Sequence, residues 1–291
     1  MAEQTWTLIE SVANPRVKKT LKLRQSRERR ASGLLLAEGR REVERAFAAG
    51  LVCRELWVCD ALLGGDFQPE GVTERVFAAS DKVLRKLAWH DDPEGVLGVF
   101  VAPRWTLASL PATRASDTYL VAVGTEKPGN LGAMVRTAAA AGCGAVLAVC
   151  PSVDVFNPAA IRNSTGAVFS LPVVAVSDTA VALDWLMQRG IAVVASVAPG
   201  QGGGSCFEVS WDFPAAVVVG PEHAGLDAAW REHAAALVTI PMAVSNAKRD
   251  VSDATSTERR PVDSLNAATA AAVLLYEAVR RQGGLGEALP R

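Results

Sequence analysis

The sequence predicts an α/β protein made of two domains, and three observations support this fold class. Apolar runs of strand length alternate with Ala-rich or amphipathic stretches of helix length. With 291 residues and 49% hydrophobic content, the chain is long enough for two separate cores. A stretch rich in Pro, Ser and Thr lies at 103–117, so we place a linker there, between domains at 1–102 and 118–291.

The first domain is predicted to be small and mixed. A short helix should follow Asn14 and Pro15, since Asn is a preferred N-cap and Pro fits the first helical turn. Further along, the pattern predicts a strand at 34–37, a helix at 39–50, and strands at 51–59 and 96–101.

The second domain alternates more regularly. Its apolar runs are continuous, which is typical of strands buried on both faces of a parallel sheet. Such a sheet binds ligands beyond the carboxyl ends of its strands. The predicted strands are 119–123, 145–149, 190–197, 215–220 and 236–241, and the predicted helices are 131–142, 179–190, 227–234 and 264–282. The polar, Ser/Thr-rich stretch at 243–261 is predicted to be a mobile loop.

Charge and cysteine content exclude several classes of protein. The net charge is −1, so a polyanionic partner has to be held by a local basic patch. Residues 14–45 supply one, with eleven Lys or Arg against four Glu. Alternatively, this basic segment is a helix face exposed to solvent that binds no partner. The five cysteines form no CxxC pair and lie near no His cluster, so we predict no metal site or disulfide and expect buried thiols.

Because no targeting or membrane-spanning segment is recognisable, the sequence predicts a soluble, cytoplasmic protein. The first residues lack a basic segment followed by an apolar core, and no apolar run approaches the roughly 20 residues of a membrane span. A nucleotide-binding oxidoreductase is disfavoured because the Gly-rich GxGxxG fingerprint is absent.

Three loops that follow predicted strands carry polar residues that packing does not require. EKPGNLGAMVR, at 126–136, places Asn130 where it can cap a helix that also carries Arg136. VVVGPEHAGLD, at 217–227, encloses Glu222 between two glycines. IPM, at 240–242, precedes a helix that Asp263 or Ser264 can cap, with Asn266 near its open N-terminus. Taken singly, each loop also fits an ordinary cap or turn.

Together, in this order, the three motifs resemble those of the SpoU/TrmH family of RNA ribose 2'-O-methyltransferases, within the SPOUT superfamily. FNPAAIRNSTGAVFSLPV, at 156–173, resembles another family segment, with Arg162, Ser164 and Gly166. SVANPRVKKTLKL and LLLAEGRREVERA resemble the RNA-binding N-terminal extension of the family. The resemblance covers most of the chain and is strongest from 119 to 280.

The resemblance implies a C-terminal SPOUT domain with a deep trefoil knot, an S-adenosylmethionine pocket and a homodimer. It assigns Arg136 to activating the ribose 2'-hydroxyl, with Asn130, Glu222, Ser264 and Asn266 as polar neighbours. The residues it assigns to cofactor binding are Val219, Gly220, Glu222, Gly225, Leu226, Ile240, Met242, Ser264 and Leu265. One departure from the family is the long charged stretch between Met242 and Ser264.

We therefore expect 2'-O-methylation of a ribose in large-subunit (23S) ribosomal RNA, because the basic extension resembles that of rRNA-modifying and antibiotic-resistance members. A tRNA substrate is one alternative, and a catalytically silent RNA-binding ribosome-assembly factor is another. Affinity should fall as salt rises if basic side chains contact RNA phosphates. Residues assigned to RNA are Asn14, Arg16, Lys18, Lys22, Arg24, Arg40, Arg41 and Arg162. Aromatic residues are sparse in that segment, which favours recognition of shape and phosphates over base stacking.

Overall fold

The structure, a computed structural model, describes residues 6–64, 67, 73–242 and 264–284. They form two compact units. The first is drawn from 1–110, 126–139 and 152–174, and the second from 111–125, 140–151 and 175–291. The stretch at 243–261, predicted to be a mobile loop, lies outside the described residues.

The first unit contains a mixed five-stranded sheet with strand order β1-β4-β3-β5-β2. β3 and β4 are parallel, whereas β5 runs antiparallel to both β2 and β3. Its elements are β1 (Thr7–Ile9), α1 (Pro15–Lys22), α2 (Ser26–Ser32), β2 (Leu34–Glu38), α3 (Arg40–Ala48), β3 (Cys53–Val58), α4 (Asp60–Leu63), β4 (Val76–Ala79), α5 (Asp81–Leu87), β5 (Val96–Val101), α6 (Pro128–Ala140) and α7 (Pro158–Asn163).

The helices of the N-terminal part cover this sheet with apolar side chains. Val17 of α1 and Leu84 of α5 are fully or almost fully buried in a core that includes Trp57 of β3. α1 begins as predicted, because the Asn14 side chain accepts a hydrogen bond from the Arg16 amide at 2.8 Å and Pro15 occupies the first turn. α1 therefore has its inner face anchored and its basic face turned outward.

The second unit is built on a seven-stranded sheet with strand order β10-β12-β9-β11-β6-β7-β8. The pairs from β10 through to β7 are all parallel, which confirms the predicted parallel sheet. Its elements are β6 (Thr118–Val123), β7 (Ala145–Val149), β8 (Val173–Val176), α8 (Thr179–Gln188), β9 (Ala192–Ser196), β10 (Gly204–Ser205), β11 (Ala215–Val219), α9 (Ala228–Glu232), β12 (Ala236–Thr239) and α10 (Ala267–Arg281).

Burial explains why the central strands are apolar throughout. Every residue of β7 and β11 is buried, as expected for strands covered on both faces. Within the described part of the chain, no helix combines the length and apolar character that a membrane span requires.

One prediction about the cysteines was wrong. Cys150 is exposed, whereas the other four thiols are buried as expected. Burial raises the pKa of Cys53 and of Cys143 to about 12, so both stay protonated at neutral pH and are poor nucleophiles. Cys150 directly follows β7, and its backbone has a positive φ of 47°. It therefore lies at a turn and not in the core.

Candidate functional site

A pocket in the second unit lies beyond the carboxyl ends of β9, β11 and β12, beside the start of α10. This is where an open parallel sheet is expected to bind a ligand. Eight of the nine residues assigned to cofactor binding line it. The full lining is Ser196, Val197, Ala198, Pro199, Val219, Gly220, Pro221, Glu222, Gly225, Ile240, Met242, Ser264, Leu265, Ala267 and Ala270.

The ninth residue, Leu226, is buried and is not among the lining residues. A Cβ atom added at Gly220 would lie 3.0 Å from Leu226 Cδ2 and 2.8 Å from the carbonyl carbon of Gly225. The turn therefore folds back on itself so tightly that Gly220 has room for no side chain. Gly225 has a φ of +67° and donates its amide to the Pro221 carbonyl at 3.1 Å. Both glycines shape the loop that carries Glu222.

Glu222 is bonded to the N-terminus of α10. Its Oε1 accepts a hydrogen bond from Asn266 Nδ2 at 2.6 Å and from the Ala267 amide at 3.4 Å. A carboxylate is favoured there, since the first amides of a helix lack intrahelical partners and carry partial positive charge. The structure thus joins two of the motifs through one side-chain contact.

The predicted cap of α10 was wrong. Asn266 itself is the N-cap, and its Oδ1 accepts from the amides of Ala268 at 3.0 Å and Thr269 at 3.4 Å. Ser264 is exposed and lies two residues ahead of the cap, while Asp263 lies outside the described residues. The two ends of the Asn266 amide group therefore have separate roles. Its oxygen caps α10, and its nitrogen donates a hydrogen bond to Glu222.

One wall of the pocket was not predicted from the sequence. Residues 196–199, at the end of β9, line it, although they contain no charged side chain. The position of β9 in the sheet could have predicted this wall. β9 lies parallel to and beside β11, so the carboxyl ends of the two strands lie at the same edge.

Asn130 and Arg136 lie on α6 of the first unit. The prediction that Asn130 caps this helix was wrong, because α6 begins at Pro128 and Asn130 is its third residue. Leu131, Met134 and Val135 face the core, whereas Arg136 is exposed. The spacing of the buried positions gives α6 one apolar face and leaves Arg136 outside that face.

α6 packs against α7 with unusually little space between the two backbones. A Cβ atom at Gly132 would lie 2.4 Å from the Ala160 carbonyl oxygen and 2.7 Å from Asn163 Cβ. Gly132 is required for this approach, because any side chain there would collide with α7. The neighbour it admits in the structure is α7, so this glycine serves packing.

Two arginines of the N-terminal part hold the segment around α7. Arg29 is only 3% exposed, and its guanidinium lies 2.7 Å from an Asp154 carboxylate oxygen. Arg45 donates to the Thr165 carbonyl and, at 2.6 Å, to the Thr165 hydroxyl. Thr165 has a φ of +52°, a conformation that is uncommon outside glycine. Neither arginine was assigned a role from the sequence.

Most of the arginines assigned to RNA have partners within the protein. Arg16 lies 2.7 Å from Glu55, Arg40 lies 2.7 Å from Glu44, and Arg41 lies 2.7 Å from Glu42. Arg24 donates to the carbonyls of Ala88 and, at 3.2 Å, of Leu87. These contacts neutralise or occupy much of the basic charge seen in the sequence.

The remaining residues assigned to RNA lie in three kinds of position. Asn14 is used as the cap of α1. Lys18 and Lys22 are exposed on α1. Arg162, on α7, borders a small cavity that is also lined by Trp89 and His90. Trp89 is 45% exposed, with the Arg24 guanidinium 5.8 Å from its ring, so one aromatic face does lie among the basic residues.

Comparison with known proteins assigns both parts of the chain to described families. Residues 117–256 match the model of the SpoU rRNA Methylase family. Residues 14–98 match the MRM3-like substrate binding domain. The first match contains the Asn130, Arg136 and Glu222 motifs, and the second contains the basic segment.

Similar proteins cover nearly the whole chain. A 23S rRNA (uridine(2479)-2'-O)-methyltransferase from Streptomyces viridochromogenes is 33% identical over 72% of this chain and 68% of its own. The crystal structure of an RNA 2'-O ribose methyltransferase is 38% identical over 95% of this chain and 99% of its own, with a TM-score of 0.77. The SpoU methyltransferase AviRb from S. viridochromogenes, solved in complex with AdoMet, is 28% identical over 92% and 98%, with a TM-score of 0.76. This chain therefore belongs to the SpoU rRNA methylase family.

Proposed function

We propose that this protein is an S-adenosylmethionine-dependent RNA methyltransferase that methylates a ribose 2'-hydroxyl in large-subunit (23S) ribosomal RNA. The observation that carries the proposal is the composition of the pocket, which residues of the second and third motifs line. Relatives named as 23S rRNA 2'-O-methyltransferases support the choice of substrate.

The lining of the pocket fits this cofactor. Glu222 is the one charged residue among the described lining residues, which include no Lys or Arg. A polyphosphate nucleotide needs cationic partners, whereas a carboxylate among apolar walls suits a ligand that carries positive charge. Val219, Ile240 and Leu265 offer apolar surface, and the turn from Gly220 to Gly225 offers backbone groups. When bound, S-adenosylmethionine supplies an electrophilic methyl group on a sulfonium.

We assign Arg136 to the ribose. The 2'-hydroxyl has to lose its proton as its oxygen forms the new bond to carbon, and negative charge develops on that oxygen. A guanidinium keeps its protons in proteins, so it is a poor general base. Arg136 instead donates hydrogen bonds to the 2'-oxygen and stabilises the developing charge, while the proton passes to solvent. We assign Asn130, Glu222, Ser264 and Asn266 to orienting the reacting groups, as the family resemblance implies.

Further features of the family belong to the same proposal. The chain would form a homodimer through its C-terminal part and act in the cytoplasm. We also propose a deep trefoil knot and domains at 1–102 and 118–291 joined by a linker at 103–117. The position of Met242 and Ser264 supports the knot, because residues on either side of 243–263 line one pocket together with Gly220.

The experiment is transfer of labelled methyl from S-adenosylmethionine to unmodified 23S rRNA and, separately, to unmodified tRNA. Nuclease digestion then locates the 2'-O-methyl nucleotide. Label in rRNA is the expected result. Label in tRNA alone would preserve the chemistry and overturn the substrate.

Binding of the cofactor is measured in parallel by calorimetry, with ATP as the matched control ligand. We expect S-adenosylmethionine to bind and ATP not to bind, since the lining lacks cationic side chains. If neither RNA is labelled although the cofactor binds, the enzymatic proposal is overturned in favour of a silent RNA-binding factor.

A further inference from the structure

A groove in the first unit lies between α1, α2 and the strands β2, β3 and β5. Its volume is about 940 Å³. Apolar side chains, among them Leu34, Val99 and Val101, form part of its surface. We call it the basic groove, and its lining residues are Lys19, Thr20, Lys22, Leu23, Glu28, Ser32, Gly33, Leu34, Arg54, Glu55, Glu74, Arg75, Val99, Val101, Ala102 and Arg104.

The charges of the basic groove do not cancel. Glu55 is held by Arg16 at 2.7 Å, and its other oxygen accepts from Thr20 at 3.4 Å. Glu74 forms an ion pair with Arg54. Among the described residues, the structure records no ion pair for the four other basic side chains of the groove. Four cations thus face one remaining acid, Glu28, and the four are Lys19, Lys22, Arg75 and Arg104.

These four cations reach the groove from three segments that are distant in sequence. Lys19 and Lys22 are one helical turn apart in the last turn of α1, so both project on neighbouring parts of its surface. Arg75 directly precedes β4. Arg104 follows β5, and its Nη2 lies 3.2 Å from the position that a Cβ atom would take at Gly33.

The rim that carries Arg104 is fixed by the backbone. Gly33 is the left-handed C-cap of α2, with a φ of +66°. Its carbonyl accepts a hydrogen bond from the Ala102 amide at 2.9 Å, two residues before Arg104. The guanidinium is therefore attached to a defined edge of the groove, opposite the lysines of a regular helix.

We propose that the basic groove binds the phosphodiester backbone of the RNA substrate. Exposed cations without acidic partners are the groups that neutralise phosphates, whereas arginines already paired with carboxylates contribute little. Apolar surface beneath a cationic rim accommodates sugars and bases while the rim holds the phosphates. This inference rests on the proposed function. It keeps Lys22 and moves the other main RNA contacts from Arg16, Arg24, Arg40 and Arg41 to Lys19, Arg75 and Arg104.

The test compares two triple variants of the full-length protein. The groove variant combines Lys19→Gln, Lys22→Gln and Arg104→Gln. The control combines Lys82→Gln, Lys86→Gln and Arg30→Gln, which removes the same charge from exposed positions outside the groove lining, for which no ion pair is recorded among the described residues. Binding of fluorescently labelled fragments of transcribed 23S rRNA is measured by anisotropy at increasing KCl concentrations. Thermal unfolding checks that all three proteins are folded.

Counterion release fixes the expected result. Each phosphate contact contributes about 0.7 to 0.9 to the slope of log K against log salt, so the groove variant should lose about 2 units of slope. The control should keep the wild-type slope to within about 0.5. An unchanged slope in the groove variant, or an equal loss of slope in both variants, would contradict the proposal that the basic groove binds RNA.

Methyl transfer by the wild-type protein separates this inference from the proposed function. If the wild-type protein methylates rRNA while the groove variant keeps its slope, the groove is wrong and the function stands. If the groove variant loses slope while the wild-type protein methylates neither rRNA nor tRNA, the groove is supported and the enzymatic proposal fails.

Discussion

The pocket beside α10 and the basic groove recognise ligands by opposite means. The pocket has one carboxylate, Glu222, which is fixed by Asn266 and by a helix N-terminus, and backbone and apolar groups form most of the remainder. The groove carries five Lys or Arg on long side chains at an exposed surface. Tight glycine turns define the shape of the first, whereas exposed charges define the second.

This difference predicts different responses to salt. A ligand held by backbone and apolar contacts loses little affinity as salt rises, because few counterions are released. An RNA held by exposed cations loses affinity steeply. The two binding events of one reaction should therefore be separable by ionic strength alone.

The largest expected effect comes from Arg136→Ala, which removes a group that belongs to neither the pocket lining nor the groove lining. We expect kcat to fall by about 10³-fold, or roughly 4 kcal/mol, because the 2'-oxygen loses its electrostatic stabilisation. The dissociation constants of cofactor and rRNA should both stay within about 2-fold of the wild type, as the side chain is exposed and away from the buried face of α6.

Arg136→Lys is the matched control for charge. A lysine keeps the positive charge and loses the planar fork, so recovery of most activity would show that charge alone suffices. Equal loss of transfer and of cofactor binding in Arg136→Ala would contradict the assigned role and place the residue in the pocket.

Arg29→Ala should strongly destabilise the first unit. The guanidinium is buried against Asp154, so its removal leaves a largely buried carboxylate without its cation, at a cost of about 3 kcal/mol. Denaturant unfolding monitored by hydrogen exchange resolves the two units. The comparison variant, Arg85→Ala, breaks an exposed pair with Asp81 and should cost at most about 0.5 kcal/mol. Similar costs for both variants would mean that burial of the Arg29 pair is unimportant.

Asn266 permits a sharper test of the pocket. Asn266→Ala removes the cap of α10 and the partner of Glu222, so stability should fall by about 1 kcal/mol, with a loss of cofactor affinity. Asn266→Asp keeps a capping oxygen but places a second carboxylate beside Glu222. We expect Asp to restore stability and to leave cofactor affinity impaired. Full recovery of affinity in Asn266→Asp would show that the residue acts only as a cap.

The smallest effect is a pH-dependent one at Glu277, a buried residue of α10. A hydrogen bond from Arg280, with a further one from Arg281, holds the pKa of this carboxyl below its ordinary value of 4.5 despite burial. A lowered folded-state pKa stabilises the protein above pH 4.5, and that contribution is lost as the pH falls through the folded value. Glu277→Gln should therefore lower Tm by about 2–4 °C at pH 7.

The difference between Glu277→Gln and the wild type should shrink as the pH falls below about 4.5, where the wild-type carboxyl also becomes neutral. A difference in Tm that stayed constant from pH 7 to the acid limit would assign the effect to packing instead of charge.

Apolar pattern was sufficient to predict the main elements of both sheets. The runs that became β2 and β5, and those that became β6, β7, β9, β11 and β12, were recognisable because burial on both faces requires continuous apolar residues. β3 was recognised although Arg54 and Glu55 interrupt its apolar residues. Four short strands were missed, since they have two to four residues each: β1, β4, β8 and β10. The sequence also gave no sign that 126–139 and 152–174 would group with the N-terminal part, because that grouping rests on contacts between distant segments.

Motif order predicted which residues would surround the pocket, but not how they bond. Glu222 and Asn266 are 44 positions apart, so their contact depends on how β11 and α10 are placed by the sheet. The basic segment shows the same limit. Arg16 is paired with Glu55, 39 residues away, and nothing in the local sequence distinguishes it from the unpaired Lys19. The sequence shows how many basic side chains there are, and only the tertiary structure shows which of them remain available to bind RNA.

The two arginine contacts around α7 also bear on how the chain folds during synthesis. Arg29 and Asp154 are 125 positions apart, and Arg45 and Thr165 are 120 apart. A ribosome adding about 5–20 residues per second needs on the order of 10 s to deliver the second partner after the first. During that interval the N-terminal sheet exists without the segment that covers Arg29. Contacts of such long range also slow folding in general. The contacts within the first unit are therefore completed late, although this unit contains the first residues to be synthesised.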